Sequence, residues 1–142
     1  MILWLLAVIT VLIFGACNNS KLTAEDIVQS LQDQELEVTP INVATAEKGS
    51  GTSLQLDGVY PEAFELSLPL ASMEKPEYVF VYAFSSAAKS RSAYNSTGVS
   101  ALQMGELYAN TAQKQNLVVI YWSQSKENPL MRAQFAKAIN DD

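Results

Sequence analysis

The 142-residue chain contains no histidine and one cysteine, and its nine Lys and Arg are outnumbered by fifteen Asp and Glu. Each scarcity narrows the range of functions. Without histidine the chain lacks the side chain most often used as a general base near neutral pH and most often used to ligate transition metals. A single cysteine rules out an intramolecular disulfide. A net charge of −6 argues against a general nucleic-acid binder, which needs a basic footprint to meet phosphates. The apolar run at residues 2–14 is thirteen residues long with Thr10 its one polar member. As a helix it would span about 20 Å against a hydrocarbon core of about 30 Å, so it reads as the core of a signal peptide and not as a membrane span.

The run ends in Phe14-Gly15-Ala16-Cys17, which resembles the lipobox of bacterial lipoprotein precursors, where small residues precede a cysteine that becomes the lipidated first residue. The resemblance implies a signal peptide at residues 1–16, a lipidated tether at residues 17–22 and a domain at residues 23–142, held on the extracytoplasmic face of the cell membrane through Cys17. Each buried methylene of an acyl chain contributes about 0.8 kcal/mol, and the two chains of a diacylglyceryl group suffice for stable anchoring. Asn18, Asn19 and Ser20 form a short polar spacer. From residue 22 the segment L-T-A-E-D-I-V-Q-S-L-Q-D-Q-E-L-E-V is similar to the opening of small, largely uncharacterised cell-surface lipoproteins of Bacillus-like Gram-positive bacteria.

The densest β-forming run is residues 77–84, E-Y-V-F-V-Y-A-F. In a strand Tyr78, Phe80, Tyr82 and Phe84 would line one face and Val79, Val81 and Ala83 the other. Both faces are apolar, which predicts a central strand covered on both sides. Residues 117–122, L-V-V-I-Y-W, have the same character and are its natural neighbour. Thr23 caps a predicted helix to about Gln34, with Ile27, Val28 and Leu31 on its apolar stripe. Residues 36–43 read as a strand interrupted by Pro40, which removes a ladder donor and calls for an edge position or a bend. Residues 47–51 read as a loop, residues 53–56 as a short strand, Asp57-Gly58 as a turn, and Phe64, Leu66 and Leu68 as one face of a strand ending at Pro69. Ser85 or Ser86 caps a helix reaching Tyr94, which residues 96–100 break. Residues 101–113 are ambiguous, with a strand favoured at 106–112. A closing helix is expected with Asn128 as its cap and Pro129 at its first position, burying Met131, Phe135, Ala138 and Ile139. Together these predict an α+β domain, an antiparallel sheet of four to six strands with the terminal helices packed on it.

Few residues suggest chemistry. Ser86 and Lys89 have the Ser-x-x-Lys spacing that sets a nucleophile and a lysine base on one helical turn, but Ser72 with Lys75 and Ser123 with Lys126 share that spacing. A serine capping a surface helix is the favoured reading, since isolated short motifs mostly arise by chance. Asp57, Glu62 and Glu65 lie close enough in sequence for a hard cation, yet lack the alternating order and closing glutamate of a calcium loop, so no metal centre is expected. Tyr60, Tyr94, Tyr108 and Trp122 are candidates for stacking on a sugar or peptide, against the plainer reading that strand aromatics fill a core. Residues 17–77 carry eleven acids and three bases, and residues 78–142 four acids and six bases, so a fold that separates the halves would turn a basic side toward anionic lipid.

With no cofactor motif in view, the expected role is a non-enzymatic binding or accessory module for an envelope protein or a cell-wall component. Two alternatives stand beside it. One is a small hydrolase or acyl-transfer enzyme using Ser86 and Lys89, and the other is a protective surface-coat lipoprotein.

Overall fold

The computed structural model describes residues 20–140. The expected signal peptide, Cys17 and the first part of the tether lie outside the described residues. Along the chain run α1 (Ala24–Gln32), β1 (Glu37–Ile41), α2 (Val43–Ser50), β2 (Glu62–Ser67), β3 (Glu77–Ala83), α3 (Ala87–Tyr94), α4 (Thr97–Ala101), β4 (Tyr108–Lys114), β5 (Leu117–Ser123) and α5 (Arg132–Asn140). The strands form one five-stranded antiparallel sheet in the order β1-β2-β3-β5-β4. This is the α+β arrangement expected from the hydrophobic pattern.

β3 is the middle strand, and β5 lies beside it, as two strands apolar on both faces require. On one face Val79, Val81, Val119 and Tyr121 pack with Phe64 and Leu66 against Ile27 and Leu31 of α1 and Phe135 and Ile139 of α5. On the other, Phe80, Tyr82, Ile120 and Trp122 meet Leu54, Leu56, Ala93, Val99 and Met104. Burying one such large apolar side chain stabilises by about 1.5–3 kcal/mol, so the two covers hold the sheet from both sides. Pro40 falls on an edge strand, the position in a sheet where a residue without an N–H is tolerated.

Several boundaries differ from expectation, each for a local reason. β1 stops at Ile41 because Asn42 caps α2, its side chain accepting the Ala44 N–H at 2.9 Å. Residues 47–51, expected as a loop, are the last turn of α2 and its closing Gly51 at φ 68°. Residues 53–56 form no strand, and Leu56 instead bridges to Val59 around the Asp57-Gly58 turn. Residues 96–100 begin a second short helix where a break was expected, because the Ser96 Oγ accepts the Gly98 N–H. β4 lies two residues later than the favoured 106–112, its register set by the two-residue turn Gln115-Asn116. α5 begins at Arg132, three residues beyond Pro129, and the Met131 N–H just before it donates to the Tyr121 hydroxyl.

The described chain comes in at one end of the sheet. There the Leu22 N–H donates to Asn116 Oδ1 at 2.9 Å, and Asn116 Nδ2 donates to the carbonyls of Leu22 at 3.0 Å and Phe84 at 3.3 Å. Asn116 sits in the β4–β5 turn, so the first described residues are pinned beside the end of β3. The connections β2–β3 and β5–α5 lie at the opposite end.

Candidate functional site

At that opposite end the face carrying Trp122 is left partly open. The strand register sets Glu65 against Tyr78, Tyr78 against Trp122 and Trp122 against Ala109, so Glu65, Tyr78 and Trp122 form a row across the sheet on one face. α3 and α4 cover the deeper rows. The last row lies between α2 and the segment of residues 102–107, which leads into β4. The groove between them has a volume of about 630 Å³, with Ile41, Ala46, Tyr78, Met104 and Leu107 on its walls and Glu65, Lys75 and Glu106 among its polar lining. An adjoining recess of about 740 Å³ shares Lys75, Glu106 and Leu107 and reaches Trp122 and Tyr108. Both volumes are in the range of binding clefts.

Two polar groups give this site its character. Tyr78 is half-buried, and its hydroxyl is held above its usual pKa by burial and by the Glu65 carboxylate. Trp122 is 1% exposed, and its indole Nε1 is buried with no hydrogen-bond partner. A buried donor left unmade costs about 1–3 kcal/mol, and native folds pair nearly all of them. The neighbouring buried tyrosines follow the rule: the Tyr82 hydroxyl donates to the Leu54 carbonyl at 2.8 Å, and the Tyr121 hydroxyl donates to Glu77. Trp122 is the exception, and it borders the recess.

The same end of the sheet is acidic. Asp33 and Glu35 precede β1, Glu37 opens it, and Glu65, Glu74 and Glu77 lie along or between β2 and β3. Glu106 precedes β4 and Glu127 precedes α5, against the cations Lys75, Lys126 and Arg132. The end where the chain comes in is nearly balanced: Lys21, Lys89, Arg91 and Lys114 lie around the β4–β5 turn, with Glu25 and Asp26 opening α1 and Glu62 opening β2. Both halves of the chain contribute carboxylates to the groove end, Glu106 and Glu127 coming from the second half and the others from the first.

The candidate residues from sequence are dispersed. Ser86 caps α3, its Oγ accepting the Lys89 backbone N–H at 3.1 Å, which accounts for the Ser-x-x-Lys spacing. Tyr60 is 59% exposed in the connection before β2, and Tyr94 ends α3 half-buried against the core. Neither lines the groove or its recess, whereas Trp122 and Tyr108 line the recess. Asp57, Glu62 and Glu65 do not converge, because Glu62 pairs with Val81 and Glu65 with Tyr78, which places them on opposite faces of the sheet. No group of three His, Cys, Asp or Glu able to hold a metal occurs among the described residues. Tyr78, Lys75 and Glu106 were not singled out by sequence reasoning. Tyr78 reads there as one more core aromatic, and its meeting with Glu65 depends on strand register. Compared with known proteins, the chain matches no family model, no curated protein and no solved structure.

Proposed function

We propose that this chain is a lipid-anchored extracytoplasmic lipoprotein that works as a non-enzymatic binding module, offering the groove beside Tyr78 and Trp122 to an envelope protein or a cell-wall component. One observation carries the reading. The groove opens at the end of the sheet opposite the Leu22–Asn116 junction, so a chain tethered through Cys17 presents it away from the bilayer. Leu22 lies five residue steps beyond Cys17, a reach of at most about 18 Å, which keeps the junction end near the lipid surface. A groove facing outward from a surface-tethered domain suits capture of a neighbour in the envelope.

The test is site-specific photocrosslinking in living cells, followed by mass spectrometry. A photoreactive residue at position 106, on the groove, is expected to give a recurrent adduct that the same residue at position 89, on the opposite end, does not. Equal labelling from both positions, or none from either, would remove the groove as the binding site. Membrane attachment is tested separately. Cys17→Ser is expected to leave the membrane fraction, and its retention there would overturn the lipid anchor alone.

A further inference from the structure

We infer that β4 is a docking edge whose partner is β4 of a second copy of this chain, the two strands running antiparallel about a twofold axis at Thr111. Pairing here is independent of what the groove holds. The sheet leaves a row of backbone groups unused along this edge. In an antiparallel ladder each residue turns its N–H and C=O to one side, and successive residues alternate sides. The Phe84 N–H donates to the Asn116 carbonyl at 2.9 Å, so Asn116 faces β3, and Leu117, Val119, Tyr121 and Ser123 face β4. Their partners Lys114, Ala112, Asn110 and Tyr108 bond inward, which turns Ala109, Thr111 and Gln113 outward. Among the described residues nothing pairs with the backbone of those three.

The two edges of the sheet are guarded differently. The same alternation, carried through β3 and β2, turns Val38 and Pro40 outward on β1, and Pro40 has no N–H to offer. Glu35 and Glu37 add like charges at the start of that edge. β4 carries none of the devices that keep an edge from pairing: it has no proline and no glycine, and its one charge, Lys114, stands at the very end. Its sequence, Y-A-N-T-A-Q-K, is compatible with itself in reverse. A register centred on Thr111 is the one that uses every outward group, setting Ala109 against Gln113 on both sides and Thr111 against itself, each pair exchanging two bonds. Threonine opposite threonine is a favourable cross-strand pair, and the lysine of each copy falls opposite Tyr108 instead of the other lysine. With β1 blunted, pairing stops at two copies, a closed isologous dimer with one continuous sheet.

The twofold axis stands perpendicular to the sheet, so the two copies keep their faces in common. Leu22 packs on the α1 face in both, and Tyr78, in the groove, lies on the other face in both. The anchored chains proposed above therefore enter the same face of the joint sheet, at its opposite ends. With that face turned to the bilayer, both grooves open away from it.

The experiment is disulfide trapping of the full-length chain in whole cells under mild oxidation, the parent with Cys17 as its one cysteine serving as the blank. Thr111→Cys is expected to give a covalent dimer, because the Cα atoms of a directly opposed hydrogen-bonded pair lie about 5.5 Å apart, a span that a disulfide bridges. Thr39→Cys, in the middle of β1, is expected to stay uncoupled. Thr111→Lys and Thr111→Glu each set like charges face to face, and each is expected to weaken dimerisation by about fivefold in sedimentation of the purified full-length chain in detergent. Their equimolar mixture is expected to pair as well as the parent, a recovery that a damaged fold would not give. Trapping at position 39 equal to that at 111, a monomeric parent, or a mixture no better than the single variants would overturn the inference. Crosslinks from position 111 that join only other proteins would leave β4 a docking edge and overturn a second copy as its occupant.

Discussion

The Tyr121 hydroxyl donates to the buried carboxylate of Glu77 and accepts the Met131 backbone N–H at 2.9 Å, so one oxygen joins β5, β3 and the chain leading into α5. Glu77 is 2% exposed, and its second oxygen accepts the Gln124 N–H at 2.9 Å. Burial, reinforced by the Glu77 carboxylate, raises the Tyr121 pKa well above its usual value, which keeps the hydroxyl a donor throughout the physiological range. The Phe135 ring lies 5.4 Å from that of Tyr121 and closes the junction.

Tyr121→Phe removes the donor to a buried carboxylate and strands the Met131 N–H. A loss of about 2–3 kcal/mol is expected, measured as a lower urea midpoint with an unchanged slope. Glu77→Gln should also be destabilising, because an amide offers one oxygen to two donors and sets its NH2 against either the Tyr121 hydroxyl or the Gln124 N–H. A Glu77→Gln variant as stable as the parent would show that the junction is held by packing on Phe135 and not by the hydrogen bonds.

Asn116→Ala breaks the two bonds that fix Leu22 and the one to the Phe84 carbonyl. We expect a loss of about 1–3 kcal/mol and faster hydrogen exchange at the Leu22 amide. Exchange at Leu22 that stays slow in the variant would mean that apolar packing of Leu22 on the core, and not Asn116, holds the start of the domain.

Tyr82→Phe deletes the donor to the Leu54 carbonyl and leaves that carbonyl buried. The expected cost is about 1–2 kcal/mol, with loss of exchange protection concentrated in residues 52–59, the stretch this bond ties to the sheet. Protection lost uniformly across the sheet would contradict that local role.

Asp26 accepts both the Thr23 N–H at 2.7 Å and the Thr23 Oγ1 at 3.0 Å, and these bonds, the backbone one foremost, hold its pKa below the usual value. A carboxyl with a depressed folded pKa contributes stability above its unfolded pKa of about 3.9, and that contribution fades as the pH falls through the folded value. Because the group is exposed, its worth is under about 1 kcal/mol. Asp26→Ala should therefore be less stable than the parent at neutral pH, and the gap should close in acid. A gap that persists below both pKa values would assign the effect to the helix itself and not to the charge.

Much of the fold was legible because it follows from local pattern. The run at β3, apolar on both faces, called for a middle strand; the similar run at β5 called for its neighbour; Pro40 called for an edge or a bend, and the edge is what the sheet shows. The misread stretches were those where a single polar side chain decides between loop and helix. Asn42 starting α2 and Ser96 starting α4 are each one hydrogen bond from the alternative, and Lys48-Gly49-Ser50-Gly51 looks like a loop until Asn42 is seen capping the helix that Gly51 closes.

The site was not legible. Trp122 was among the candidate aromatics, but Tyr60 and Tyr94 were equally so, and nothing in the order of residues separates them. Periodicity is a property of neighbours along the chain, and it is enough to settle which side chains are buried and which strands are central. The meeting of Glu65, Tyr78 and Trp122 in one row depends on two strand registers, and the vacancy beside them depends on where α2 and residues 102–107 stop covering the sheet. Those are sums over contacts distant in sequence, so only the folded chain decides that one indole N–H is left without an acceptor and that Glu65 and Glu106, one from each half, line the same groove.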